Sequence, residues 1–354
     1  MFRKITLLIG ILASALACQL PNWFGAPAAQ AEDPSGSAAE TQAITIVPGD
    51  SFGLTSTPFM PLAPTEIIHT PTPTSLPPWG SFPGPSIPPE TEIPPPAPLF
   101  AQPAGQVNFL LLGSDQRPDD IGFRTDTMVL ITLNSELGTV NATSFPRDLY
   151  VYIPGWTMQR LNTAFPHGGF ELMQSTFEYN FGVRPDFYIL TNFWSFTAMI
   201  DSLGGINVNV PFPHTDHRDG LGDYTVPAGV IPMDGETALW YVRSRTTTND
   251  FDRARRQQEV LLAIFYRLLN LNGLQRAPEL YSLYRNNVST NVALDNLTPF
   301  LGLAADLAQN QADLSSFIIG SDQVIPFRTN SGAAVLLPER EAVLEIIGRA
   351  LNRQ

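Results

Sequence analysis

A single cysteine, Cys18, and a single lysine, Lys4, stand in a chain of 354 residues. One cysteine excludes an intramolecular disulfide and any cysteine-based zinc cage. With lysine almost absent, arginine carries nearly all of the 20 positive charges, against 33 acids and a net charge of −13. From residue 104 onward the balance is 18 Arg minus 26 acids, or −8. That acidity argues against sequence-independent nucleic-acid binding, which needs a basic surface. No G-x-x-x-x-G-K-[ST] or H-E-x-x-H occurs, so P-loop and zinc-protease chemistry lose their signatures.

What is present begins at the N-terminus. MFRK runs into ITLLIGILASALACQL, a positive stretch followed by about a dozen apolar residues. This is a secretory pattern, too short for a comfortable membrane span. Three outcomes stay open for segment 1–31: lipidation of Cys18 after the lipobox-like Ala15-Leu16-Ala17, cleavage after Ala29-Gln30-Ala31, or an uncleaved anchor. Each places the remainder outside the cytoplasmic membrane. Segment 32–104 follows, and 18 of the 33 prolines fall between Pro34 and Pro103, with five acids and no Lys or Arg. Such a chain builds neither helix nor central strand, so a disordered, polyproline-like tether is expected.

At Gly105 the pattern changes. VNFLLLGSD, TMVLITLN and TVNATSF read as strands. LMQSTFEYNFGV, FWSFTAMIDSLGG and ALWYV read as helical or mixed, and the second stops at Gly204-Gly205. DYTVPAGVIPMDG is strand and turn, and a long helix begins near Asp250. Later come a helix over LTPFLGLAADLAQNQA, a strand pair at SSFIIGS and AAVLLP, and a final helix at EREAVLEIIGRAL. Alternating strands and helices imply a layered α/β or α+β domain. Residues 105–271 are expected to carry the site, and 272–354 to pack on or complete the same domain.

Several clusters can carry chemistry. Asp115 and Arg117 sit where a buried strand surfaces, the usual place for ligands in open α/β sheets. Arg124 and Asp126 precede the next strand. Two carboxylates brought together can hold one Mg²⁺; equally, each can cap a turn or pair with its neighbouring arginine. Arg147, after a strand and a proline in SFPRDLYVYIPG, can be aimed at a ligand or form a surface ion pair.

RSRTTTNDFDRARRQQ packs five arginines and two acids into sixteen residues. Arg243 and Arg245 alternate as on a strand, and Asp250 suits a helix N-cap. Arg253 and Gln257 share a helical face that continues through Leu261, Ile264 and Leu268, so both are expected to point inward. A buried arginine needs an anionic partner. Arg255 and Arg256 are expected on outer, solvated faces. For Arg147, Arg243, Arg245 and Arg253 together, a diphosphate is the anion with enough oxygens and charge. The helix N-terminus near Asp250 adds donors and positive dipole. With a metal between Asp115 and Asp126, the whole reads as a phosphoryl-transfer clamp. His214, Asp216 and His217 lack a further spaced metal ligand and read as a solvated loop. The N-x-[ST] triplets at Asn141, Asn287 and Asn296 are what chance supplies at this length.

In series, LLLGSDQR, RTDTMVLITLN, SFPRDLYVYIPG, LNTAFPHGG, DSLGGINVNV, MDGETALWYVRSR and DFDRARRQQEV resemble the LytR–CpsA–Psr family, extracytoplasmic enzymes that attach glycopolymers to bacterial cell walls. The resemblance covers roughly Val107 to Leu269 and is loose after Leu271. It implies an α/β/α sandwich with a central mixed sheet, one globular domain whose pocket binds a polyprenyl-diphosphate-linked glycan. On that mapping Asp115 and Asp126 resemble Mg²⁺-associated acids. Arg117, Arg124, Arg147, Arg243, Arg245 and Arg253 resemble diphosphate-binding arginines, with Asp250 and Gln257 as polar partners and Asp126 or Asp250 as a base. The aromatic segment from Phe170 to Ile200 would wall a lipid tunnel, although most of it also reads as ordinary core. The family usually starts with a single-pass anchor, where this chain has Cys18. The implied activity is a Mg²⁺-dependent transfer of glycopolymer to peptidoglycan by an enzyme anchored to the cytoplasmic membrane. The rival readings are a tethered binding protein for polyprenyl phosphates or anionic wall polymers, and a polyprenyl pyrophosphatase.

Overall fold

Three apolar segments rich in leucine, isoleucine, valine and threonine form β1 (Gln106–Ser114), β2 (Thr125–Asn134) and β3 (Thr139–Ser144), an antiparallel meander. The computed structural model describes residues 81–116, 122–244, 249–270, 288–309 and 313–351. These lie in the unit Pro71–Gln354, and the unit Met1–Thr70 falls outside them. After β3 come the hairpin β4 (Tyr150–Ile153) and β5 (Thr157–Arg160), helix α1 (Ala164–Phe181), β6 (Phe187–Asn192) and α2 (Phe193–Ser202). Four short strands follow, β7 (Ile206–Val210), β8 (His214–Arg218), β9 (Gly222–Val226) and β10 (Gly229–Met233). Then come α3 (Gly235–Arg243), α4 (Asp250–Asn270) and the two-residue β11 (Ser289–Thr290). A helical stretch over 294–300 leads into α5 (Leu301–Ala308), followed by β12 (Asp313–Ile318), β13 (Val324–Arg328), β14 (Ala334–Pro338) and α6 (Arg340–Leu351).

The central sheet has the order β11-β6-β1-β2-β3-β12. β6 runs parallel to β1 and β12 parallel to β3, while the other neighbours are antiparallel, so the sheet is mixed. Side chains alternate across it, as the two-residue period of a strand requires. Leu110, Leu112, Met128 and Leu130 pack with Met173, Phe177 and Phe181 of α1 and Val343, Ile347 and Leu351 of α6. On the opposite face Val107, Phe109, Ile131 and Leu133 pack with Phe300, Leu303 and Leu307 and with Phe265 of α4. This is the expected α/β/α sandwich. A further apolar cluster joins α2, β7, α3 and α4 through Ile200, Leu203, Val208, Val210, Tyr241, Val242, Val260 and Ile264.

Two expectations are corrected. The segments at SSFIIGS and AAVLLP do not pair with each other. β12 extends the central sheet beside β3, whereas β14 pairs with β13. The tether expected over 32–104 reaches the domain before its end, because residues 81–104 are held against the folded surface. Ser86 and Ile87 N–H donate to the Trp156 carbonyl (3.0 and 3.1 Å), Ala97 N–H to Tyr179 and Phe100 N–H to Gly182. Tyr152 and Tyr179 hydroxyls donate to the carbonyls of Pro83 and Pro94, 2.7 Å each. Proline lacks a donor but keeps its carbonyl, so an extended Pro-rich chain can still accept bonds while Phe82 and Ile93 bury beside Tyr150 and Tyr179.

The crossing of α2 and α3 walls the site and rests on one glycine. A Cβ on Gly235 would stand 2.4 Å from the Thr197 carbonyl oxygen, and the Gly235 N–H donates to Asp201 Oδ1 at 2.7 Å. Gly235→Ala is therefore expected to force the helices apart at a cost of about 1–3 kcal/mol, the usual range for overpacking. Thermal unfolding followed by circular dichroism checks this, and an unchanged Tm would contradict the close approach.

Candidate active site

The strongest feature of β2 is an irregularity. Gly113 pairs with Thr127 and Ser114 with Thr125, leaving Asp126 as the extra residue of a bulge. Bulges re-aim a side chain beside a site. The Asp126 carboxylate accepts from Arg147 Nη1 at 2.7 Å and from Asn162 Nδ2 at 3.3 Å. Gly113 permits the bulge to pack closely, since a Cβ there would touch the Thr127 side chain at 3.0 Å.

Arg147 is held by three acids. Besides Asp126, its Nε lies 3.3 Å from Asp148 Oδ2 and 3.9 Å from Asp250 Oδ2. Burial alone would lower its pKa, but Asp126, Asp148 and Asp250 outweigh that and raise it above the ordinary arginine value. Asp250 also reaches Arg253 Nη1 at 3.4 Å. It does not cap α4, as expected from the sequence: Asn249 Oδ1 accepts the Phe251 and Asp252 N–H groups at 3.0 and 2.9 Å. With that duty on Asn249, the Asp250 carboxylate orients two arginines instead.

Just past the end of β1, Asp115 Oδ1 accepts the Arg124 N–H at 2.7 Å, and its Oδ2 pairs with Arg124 Nη2 at 3.1 Å. Arg243 lies at the last turn of α3, not on a strand, and its guanidinium stacks over the Phe193 ring at 4.0 Å. Among the described residues no carboxylate pairs with it. Gln257 Nε2 donates to Thr127 Oγ1 at 2.9 Å, tying α4 to β2.

These groups rim one cavity of about 600 Å³. Asp115, Arg124, Asp126, Arg147, Arg243, Arg253 and Gln257 all line it, and its walls are apolar, with Leu111, Val129, Phe193, Phe196, Met199 and Val242 among them. Asp250 lies off this wall, against a small neighbouring cleft with Arg147 and Arg253. Arg117 and Arg245 lie outside the described residues, as does Cys18. Asn162 and Asp148 were missed. Both sit inside quoted motifs, but nothing local marks Asn162 as the partner of Asp126 or Asp148 as a bridge from Arg147 to Arg160 Nε (3.3 Å).

The largest correction concerns Arg256, expected to be solvated. Its side chain is fully buried and donates to the Tyr241 carbonyl (2.8 Å), to the Ser244 hydroxyl (2.7 Å) and to the Ser244 carbonyl (2.6 Å). His214, expected in a solvated loop, is 5% exposed, with Nε2 2.6 Å from Arg256 Nη1. Arginine only donates, so a proton on Nε2 would oppose the guanidinium; Nε2 is unprotonated and the imidazole is neutral. Asn141 is also buried, its amide donating to the Ala350 carbonyl, so that triplet is closed to glycosylation.

Acid and arginine side chains thus rim a mouth that opens onto apolar walls, cut into an α/β/α sandwich. The chain belongs to the LytR_cpsA_psr family, whose model matches residues 90–344. It is 34% identical over 203 residues to the polyisoprenyl-teichoic acid–peptidoglycan teichoic acid transferase TagU of Oceanobacillus iheyensis, covering 55% of this chain and 62% of that protein. TagU of Bacillus subtilis is 34% identical over 193 residues, 54% of this chain and 61% of the relative. The chain thus spans about three fifths of the length of these relatives. A solved structure of TagT bound to LIIa-WTA superposes with a TM-score of 0.56 at 25% identity, covering 70% of this chain and 91% of that one.

Burial first, then the Arg256 charge, lowers the His214 pKa from 6.5 to about 4. The unfolded chain therefore binds the extra proton between those values. Stability owed to neutral His214 is complete above about pH 6.5 and is lost as pH falls towards 4. Comparing urea unfolding of the unaltered protein and His214→Gln at pH 7 and pH 4.5, we expect the unaltered protein to lose about 1–3 kcal/mol more. Equal losses would contradict the neutral, buried imidazole.

Proposed function

We propose that this protein is an extracytoplasmic phosphotransferase that moves a glycopolymer phosphate from polyprenyl diphosphate to a peptidoglycan hydroxyl, releasing polyprenyl phosphate. The observation that carries this reading is the junction of two chemistries in one cavity. Four arginines (124, 147, 243 and 253) line its mouth, which suits a diphosphate, and apolar walls from α2, α3 and α4 suit a prenyl chain. The names of the TagU relatives support the same class of donor and acceptor. A location outside the cytoplasmic membrane is supported by the secretory pattern of segment 1–31, which lies outside the described residues. Among those that are described, no helix is long and apolar enough to cross a membrane.

Each part of the transfer has a residue. The acceptor hydroxyl attacks the phosphorus that bears the glycan, the bond from that phosphorus to the bridging oxygen breaks, and polyprenyl phosphate departs with the electron pair, its phosphate taking up the hydroxyl proton through solvent. Arg147 and Arg253, pre-aimed by Asp250, need no reorganisation when phosphate charge arrives, which is how fixed dipoles and charges lower a barrier. Arg243 is the exposed contact, stacked on Phe193. Mg²⁺ suits the donor set: Asp115 and Asp126 offer hard carboxylate oxygens at the rim, and the ion takes one or two carboxylates while leaving positions for water and phosphate. When bound, it would neutralise charge on the diphosphate oxygens. A loose phosphoryl-transfer transition state needs little base, so we assign Asp126 to the metal rather than to the hydroxyl proton. Asp250 stands behind the arginines, which suits orientation better than proton transfer.

Transfer from a prenyl-diphosphate glycan to peptidoglycan, measured with purified protein and Mg²⁺, tests this. Arg147→Ala and Arg243→Ala should each slow transfer by roughly 10²-fold or more, the usual loss for one charge-stabilising donor. EDTA should stop turnover and added Mg²⁺ restore it. Unimpaired transfer in both variants would sink the clamp. Phosphate release without acceptor would favour a pyrophosphatase, and binding without turnover a tethered receptor.

A further inference from the structure

Arg256 touches neither the cavity nor its rim, yet it reaches the chain beside Arg243. Three of its hydrogen bonds close on the C-terminal turn of α3, to the Tyr241 carbonyl, the Ser244 carbonyl and the Ser244 hydroxyl, at 2.6–2.8 Å. Ser244 is the residue immediately after Arg243, and it caps α3 through its N–H to the Trp240 carbonyl at 2.9 Å. The last carbonyls of a helix have no partner of their own and take cations well. A guanidinium fork from the neighbouring helix supplies both partner and charge.

The proton count makes the arrangement specific. Arg256 Nη1 carries two protons and faces three acceptors: Tyr241 O, Ser244 Oγ and His214 Nε2. Ser244 Oγ in turn lies 2.6 Å from His214 Nε2. The set is satisfied when Nη1 donates to Tyr241 O and Ser244 Oγ, and the serine hydroxyl donates in turn to Nε2 of a neutral imidazole. Beneath this, Tyr241 donates to Glu259 Oε2 at 2.7 Å, and Arg255 pairs with Glu259 from the same helix. The α3 terminus is thus pinned from α4 and from β8 at once.

We propose that Arg256 is a positioning residue for Arg243: by fixing the Tyr241–Ser244 turn it sets where the Arg243 guanidinium stands at the cavity mouth. Val242 and Leu239, on the same helix, line the apolar wall, so the turn also sets the wall against Arg243. This role rests on the diphosphate reading of the site. A merely structural arginine would affect stability alone. A positioning arginine affects anion binding through Arg243, and its effect vanishes once Arg243 is gone.

A double-mutant cycle separates the two. The probe is farnesyl diphosphate with Mg²⁺, its Kd measured by calorimetry on folded protein. Arg243→Ala should weaken binding about 10- to 100-fold, the range for a charged hydrogen-bond partner. Arg256→Gln should weaken it by about 5-fold or more, and Arg256→Lys, which keeps the charge without the fork, by less. In the Arg243→Ala background, Arg256→Gln should add no more than about 2-fold. Should Arg256→Gln fail to fold, Arg256→Lys and Ser244→Ala complete the same cycle, each with its effect absorbed by Arg243→Ala. Fully additive losses, or an Arg256 series without effect on Kd, would overturn the positioning role while leaving the site intact. Failure of the unaltered protein to bind the probe would sink the diphosphate reading and this role with it.

Discussion

Arg147 is the charge on which the site depends. Its side chain is 17% exposed, and three carboxylates from three separate places converge on it: Asp126 from the bulge of β2, Asp148 from its own loop and Asp250 from the start of α4. A cation at that depth is tolerable only with such company, because an unpaired buried charge costs several kcal/mol. The converse also holds. Without the guanidinium, three like charges would face one another, so sheet, loop and helix are registered by one electrostatic contact. Arg253 joins the same set through Asp250, and Asn162 holds the far oxygen of Asp126.

That contact explains how an acidic protein presents an anion site. Within the rim, Arg124, Arg147 and Arg253 each have a carboxylate partner, which fixes their geometry but offsets their charge. Arg243, stacked on Phe193, has no such partner among the described residues. The rim is therefore preorganised more than it is strongly positive, and under the proposed function Mg²⁺ at Asp115 and Asp126 would tip the balance towards a diphosphate. In the proposed function the apolar walls would do separate work, since burying prenyl carbon contributes about 25 cal/mol per Å² without adding charge.

The sandwich was legible because its signals are local. VNFLLLGSD and TMVLITLN have the length and composition of buried strands, and Arg253 with Gln257 shares a helical face with Leu261 and Ile264. What failed was decided by distant partners. At 100° per residue Arg256 lies only about 60° round from Arg253, close enough to the inward side to be buried. Its acceptors, however, are carbonyls and a histidine from other elements, which no local pattern announces. Arg243 was read as strand because alternation with Arg245 resembles one, yet Asp234 caps α3 by accepting the Thr237 N–H at 2.8 Å, and the helix runs on to Arg243. The strap over 81–104 was missed because proline forbids regular structure without forbidding packing. Asn249, one residue before the expected cap, took the N-cap and left Asp250 to the arginines.

In the function we propose, one cavity holds both ends of a prenyl diphosphate. A crystal structure of the protein soaked with farnesyl diphosphate and Mg²⁺ tests it most directly. Phosphate oxygens are expected against Arg147, Arg243 and Arg253, the metal at Asp115 and Asp126, and the prenyl chain along Phe196, Met199 and Val242. A prenyl chain bound elsewhere, or a diphosphate with no arginine contact at this rim, would contradict it.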